Sequence, residues 1–197
     1  MSQSLIAKGS ITDVAKSGDV AVALMDAKVL VVCDRSGSMV EDARGGKSSY
    51  QLEDEIVARL QAKYPGQVAL AAFNDVAWLC PDGILPVPAG QTNMLDALRL
   101  AQPLADAGLK IIMVTDGEPS HSEQEVLDAA KLFRGKLDTI FVGPEISNGR
   151  RFCKALALAA GGSHSDANLK RDPALLEKNL TRLLLAAGDT LRGADAQ

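Results

Sequence analysis

The chain has 197 residues, 47% hydrophobic and 23% charged, an ordinary globular composition with enough apolar mass for one sizeable core. A net charge of −4 with no Lys/Arg cluster argues against generic nucleic-acid binding, which calls for a basic patch or stripe. Its three cysteines, Cys33, Cys80 and Cys153, are odd in number, widely spaced and form no CxxC, so reduced buried thiols in a cytoplasmic protein are expected rather than a disulfide framework.

The opening stretch, MSQSLIAKGSITDVAKSGDVAVALMD, has no basic start followed by an apolar signal core, and Val20 to Met25 is too short to span a bilayer. Neither a secretory signal nor a membrane span is expected. Residues 1–27 stand apart as an N-terminal segment of unassigned role, residues 28–190 form the expected domain, and residues 191–197 a tail.

From Val29 the elements alternate. Val29–Cys33 is a continuous apolar strand of the kind covered on both faces in a parallel sheet. Tyr50–Lys63 places Leu52, Ile56, Val57 and Leu60 on one helical face and stops before Tyr64-Pro65-Gly66. Gln67–Phe73 is the next strand, and Ala77–Leu79 a short one reached through the turn at Asn74-Asp75. A helix over Met94–Ala107 precedes a strand over Lys110–Val114. Ser122–Phe133 is a helix with Ser120 or Ser122 as N-cap and two acids in its first turn. Leu137–Val142 is a strand, Arg150–Ala160 a helix, and Pro173–Ala187 a last helix with Gly188 as its stop.

Such repetition implies an α/β fold, a three-layer αβα sandwich around a doubly wound, mainly parallel sheet. In these sheets ligands bind beyond the carboxyl ends of the strands, at the point where strand order reverses. The chemistry does gather at strand ends. Asp34 closes the first strand and Asp116 follows the strand before the third helix, while Thr92 sits in the loop ahead of Met94.

In "DRSGS", Asp34, Ser36 and Ser38 occupy every second position, so an extended backbone presents all three oxygens on one side. Gly37 gives that loop freedom to wrap. With Thr92 and Asp116 the set is all oxygen, and only the two aspartates are anionic. Oxygen-only sites suit hard cations such as Mg²⁺, Mn²⁺ or Ca²⁺ rather than Zn²⁺ or copper.

"DRSGS", "GQTNMLDAL" and "VTDGEPS", in that order and on those elements, resemble the metal-ion-dependent adhesion site of the von Willebrand factor A-type domain. "GGSHSDANL" resembles the family's last-strand region, so the likeness runs from about Lys28 to Gly188. The "TDGEP" form and the lack of a signal look more like the intracellular prokaryotic members than the secreted adhesive ones. The resemblance implies that Ser36 and Ser38 bind a divalent cation, Mg²⁺ first, through their hydroxyls. It implies that Thr92 joins them when ligand is engaged and that Asp34 and Asp116 hold the ion directly or through water. An Asp or Glu from a partner protein would complete the coordination. An AAA-type ATPase is the first partner class by family likeness; no nucleic acid or membrane is expected. One departure is Gln91, where the family often has glycine, tolerable unless that position needs a positive φ.

Other candidates point elsewhere. A nucleophile elbow, a P-loop and G-x-G-x-x-G are all missing, so an enzyme is not expected. A metal-dependent hydrolase or phosphatase and a metal-free scaffold stay open as alternatives. His121 is read as a solvated loop residue and His164 as structural. Glu118 either tunes the cation's field or simply approaches the next helix. Asp75 and Asp82 are read as turn formers, "RGGKSS" as a solvated loop near the metal rim, and Cys33 as packing. The last helix, with Leu175, Leu176, Leu180, Leu183 and Leu184, would suit the shift on ligand engagement that the resemblance implies for some members, but is expected to be a static packed element.

Overall fold

The first strand, β1 (Val29–Asp34), is apolar until its last residue, and in the computed structural model, which describes residues 24–194, all of it is buried. Most of the N-terminal segment set apart above, and residues 195–197, lie outside the described residues. A short 3-10 turn, Gly37–Val40, follows β1. The chain then runs through β2 (Asp42–Arg44), β3 (Lys47–Ser48), α1 (Ser49–Lys63), β4 (Val68–Phe73) and β5 (Ala77–Leu79). Next come α2 (Met94–Asp106), β6 (Lys110–Thr115), α3 (Glu123–Lys131), β7 (Leu137–Phe141), α4 (Asn148–Ala159), β8 (His164–Asp166) and α5 (Ala174–Ala194).

Six strands form one sheet in the order β5-β4-β1-β6-β7-β8, parallel throughout except for the antiparallel edge strand β5. Period-2 alternation sorts the central side chains between two apolar layers. Leu30, Val32, Ile111 and Met113 pack with Leu98 and Leu104 of α2, Val126 of α3 and Phe152 of α4. Val29, Val31, Ile112 and Val114 pack on the other face with Ile56, Val57 and Leu60 of α1 and Leu176, Leu180 and Leu184 of α5. Leu24 joins the first layer from ahead of β1. The three-layer α/β sandwich is therefore as expected. The chain adds β4 on one side of β1 and later crosses to β6 on the other, so strand order reverses between β1 and β6. That crevice is where the fold favours a ligand.

Three departures from the expected elements stand out. Gly188 does not end the last helix, which runs on to Ala194; glycine inside a helix costs only about 1 kcal/mol against alanine, and no proline follows to enforce a stop. Arg44 to Ser49, expected as a solvated loop, instead fall in the small hairpin β2–β3 and the first residue of α1. The hairpin tip is Gly45-Gly46 with φ of 65° and 74°, the left-handed pair that a tight hairpin turn demands. Helix α4 begins two residues early, at Asn148, because Ser147 caps it by accepting the Arg150 amide at 3.2 Å.

Candidate functional site

All five candidate residues meet at the carboxyl end of the β1–β6 crevice. Asp34, the last residue of β1, is fully buried, and both its oxygens are engaged: Oδ1 accepts the Ser36 amide at 2.8 Å and Oδ2 the Thr115 hydroxyl at 2.5 Å. The Ser36 and Ser38 hydroxyls are 3.1 Å apart, and Ser38 donates to Asp116 Oδ1 at 2.7 Å. Thr92 closes the same space. A methyl group built on Gly117 would stand 3.5 Å from Thr92 Oγ1, 3.8 Å from Ser38 Oγ and 3.9 Å from Asp34 Oδ2.

Backbone hydrogen bonds lock the three loops together. The Gly37 amide donates to Gly90 O at 3.0 Å, Ala89 to Arg35 O at 2.8 Å, and Ser120 to Thr92 O at 2.9 Å. Met39, wholly buried in the layer with Ile56 and Val57, anchors the 3-10 turn from below. Burial of such a side chain contributes roughly 1.5–3 kcal/mol, so the serines ride on a fixed base. The β7–α4 loop and the first turn of α4 press close: a methyl on Gly149 would stand 3.1 Å from Gly117 O, and one on Gly143 3.0 Å from Asp116 O.

The electrostatics are those of a site short of positive charge. Burial pushes the Asp116 carboxyl up to about 6, and the neighbouring Asp34 charge adds to the rise against the Ser38 hydrogen bond. Burial raises Asp34 as well, opposed by the Ser36 and Thr115 hydrogen bonds and by Arg35. The donor set fits a hard divalent cation: every contacting side-chain atom is oxygen, and the two acids together match a double charge. Among the described residues no three His, Cys, Asp or Glu side chains gather at one point, so a zinc-type cluster is not the pattern here.

Arg35 points the other way. Its fully buried guanidinium reaches α1, with Nη2 2.6 Å from Asp54 Oδ1 and 3.4 Å from Glu53 Oε2, and it lies 6.0 Å from the Tyr50 ring centre. Burial raises Glu53 to about 7 in spite of Arg35, and raises Asp54 too. The sequence reading missed this cluster and Thr115. Period-2 alternation within "DRSGS" signals that residue 35 faces away from residues 34 and 36. For Thr115, the signal is a hydroxyl directly before Asp116 at a strand end.

The remaining candidates fall into place. The Gly90 φ is 73° and no non-glycine among the described residues has a positive φ, so the special turn falls on Gly90 and Gln91 is tolerated. His121 and Glu118 are exposed on the loop after β6. His164 lies on the edge strand, with Nδ1 2.9 Å from Thr139 Oγ1 and Nε2 3.2 Å from Asp166 Oδ1; burial lowers its pKa against the pull of Asp166. Cys33, Cys80 and Cys153 are free and buried. Asp82 accepts the Ile84 amide at 3.1 Å, a local turn as read. Asp75 does more, as described below.

No protein-family model matches the sequence, and no curated protein matches it. Solved structures do. The PilB minor pilin from Streptococcus sanguinis, as its D319A mutant, aligns with a TM-score of 0.66 at 13% identity over 87% of this chain and 64% of its own. A von Willebrand factor type A protein from Catenulispora acidiphila gives 0.63 at 16% identity, over 82% of this chain and 42% of its own. Proximal thread matrix protein 1 from the mussel byssus, solved with a zinc-occupied metal-ion-dependent adhesion site, gives 0.58 at 18% identity, over 82% and 46%. The chain spans less than two thirds of the length of each of these structures. At such identities the likeness is one of fold, and the fold is von Willebrand factor A-like.

Proposed function

We propose that the chain is a cation-dependent protein-binding module, in which Asp34, Ser36, Ser38, Thr92 and Asp116 hold a divalent ion, Mg²⁺ first, and a carboxylate from a partner protein completes its coordination. The observation that carries this reading is the Ser36–Ser38–Asp116 chain of hydroxyl and carboxylate oxygens, at 3.1 and 2.7 Å, with Asp34 and Thr92 facing the same space. Neutral hydroxyls donate little electron density. A cation balanced by only two carboxylates, both otherwise hydrogen-bonded, keeps enough Lewis acidity to favour an anionic oxygen as its last ligand. The zinc-occupied site of the mussel protein supports a divalent cation in this fold.

A binding role without turnover is part of the same reading. Asp34 is fully buried with both oxygens already accepting hydrogen bonds, which favours a ligand-positioning carboxylate over a nucleophile. The free, buried thiols support a cytoplasmic setting. Among the described residues no helix is long and apolar enough to cross a membrane. An ATP-driven ring protein of the AAA type is the first partner class to test.

Isothermal titration with Mg²⁺ and Mn²⁺, wild type against a Ser36→Ala, Ser38→Ala variant, tests the cation. Equal binding by the two proteins removes the reading. Capture of a partner in magnesium but not in chelator, lost in the same variant, tests recognition. Metal-dependent hydrolysis of simple phosphoesters, abolished by Asp34→Asn, overturns the binding-only role.

A further inference from the structure

Asp75 lies in the turn between β4 and β5, where the sequence offers nothing beyond a turn-forming acid. We propose that it is a positioning residue for the cation site, acting through Thr92; this rests on the cation reading above.

The turn does not need Asp75 for its own closure. Asn74 already does that work, its Oδ1 accepting the Val76 amide at 3.3 Å and its amide donating to Val76 O at 2.9 Å. Asp82 shows what a turn acid does: it bonds a backbone amide two residues on. The Asp75 carboxylate instead reaches across 16 residues, accepting the Gln91 amide on Oδ1 at 3.1 Å. The same turn takes the other side of Thr92 as well. Asn93 donates from its side chain to Asp75 O at 2.8 Å and from its backbone to Asn74 O at 2.7 Å.

Gly90 fits against the same carboxylate. A methyl group there would stand 2.2 Å from Asp75 Oδ2, and the φ of 73° independently favours glycine. Residues 91 and 93 are thus hydrogen-bonded to one turn with Gly90 close against its carboxylate, and Thr92, between them, has its hydroxyl on the space that Ser38 and Asp34 oxygens also line. Gly90 O also accepts the Gly37 amide at 3.0 Å, so the Thr92 loop and the serine loop meet backbone to backbone. A ligand group held in place only part of the time lowers apparent affinity by the fraction of time it is competent. Asp75 keeps that fraction high.

The test is Mn²⁺ titration calorimetry on the full chain. Asp75→Ala is expected to weaken binding about tenfold, and Asp75→Asn, which keeps the accepting oxygen, to stay within about threefold of wild type. Thr92→Ala sets the ceiling. In the Thr92→Ala background, adding Asp75→Ala is expected to cost nothing further, because the two act through one group. Wild-type affinity in Asp75→Ala overturns the proposal. So does an Asp75→Asn loss equal to that of Asp75→Ala, or an undiminished effect in the Thr92→Ala background.

Amide exchange measured by NMR without any metal gives an independent arm. The Gln91 amide is expected to be protected in wild type and exposed in Asp75→Ala, and unchanged protection overturns the proposal. Should the Ser36→Ala, Ser38→Ala protein bind Mn²⁺ normally, the cation reading fails instead, while the exchange arm still decides whether Asp75 fixes the loop.

Discussion

Two charged clusters share the five residues Asp34 to Ser38, one on each side, and they solve the burial of charge in opposite ways. On the outer side Asp34 and Asp116 lie close together among hydroxyls, with no basic group among their hydrogen-bonding partners in the described residues, and burial raises both carboxyls. On the inner side Arg35 lies against Glu53 and Asp54, so the protein itself supplies a counter-ion to both acids. A buried cluster that carries its own counter-ion is structural. One that lacks it fits the cation proposed above.

The inner cluster is where substitution should cost most. Arg35→Ala leaves the Glu53 carboxyl buried without its guanidinium, and breaking a buried pair in this way typically costs about 3–5 kcal/mol. Urea unfolding at pH 8 measures it. A loss under about 1 kcal/mol would show that the pair is a minor term, and the contrast between the clusters would collapse.

The outer cluster should behave in reverse, losing ligand rather than stability. Ser36→Ala with Ser38→Ala removes two oxygens from the cation while burying nothing new. A fall in Mn²⁺ affinity of about 100-fold or more is expected, with the cation-free unfolding midpoint close to wild type. A large fall in stability with intact binding would make these hydroxyls part of the scaffold.

Gly117→Ala sharpens the distinction at lower cost. The added methyl would make ordinary contacts of 3.5–3.9 Å with Thr92, Ser38 and Asp34, so the fold should accept it, yet it intrudes on the space those oxygens enclose. About a tenfold loss of cation affinity with unchanged thermal stability is expected from calorimetry and melting.

The contrast also separates what the sequence could disclose from what it could not. The strands Val29–Asp34 and Lys110–Thr115 were legible because they lie in long apolar runs, and the outer cluster because alternate positions of an extended chain share a side. The partner of Arg35 was not legible. Glu53 and Asp54 lie in a helix whose third acid, Glu55, faces water, and only the packing of α1 on the sheet turns Glu53 inward. Asp75 was misread for a related reason. "FNDVA" carries a valid turn signal in Asn74, and nothing local tells that the adjacent acid bonds Gln91, 16 residues away. Gly188 reads as a helix stop, but the helix continues through it.

The last expected effect is a pH dependence in which both clusters take part and only one answers to metal. Glu53, at about 7, and Asp116, at about 6, both sit above their usual carboxylate range, chiefly through burial. The folded protein therefore holds more protons than the unfolded chain between roughly pH 4 and 7, and its stability falls as pH rises through that window. Glu53→Gln should flatten the upper part of the fall, toward pH 7, with or without cation. Saturating Mg²⁺ should act on the lower part, because a bound cation favours the ionised Asp116 and stabilises the folded state increasingly as protons leave. Unfolding midpoints at unit steps from pH 4 to 8, for wild type and Glu53→Gln, each with magnesium or chelator, resolve the two contributions. If magnesium leaves the wild-type profile unmoved, the outer carboxylates are not its ligands.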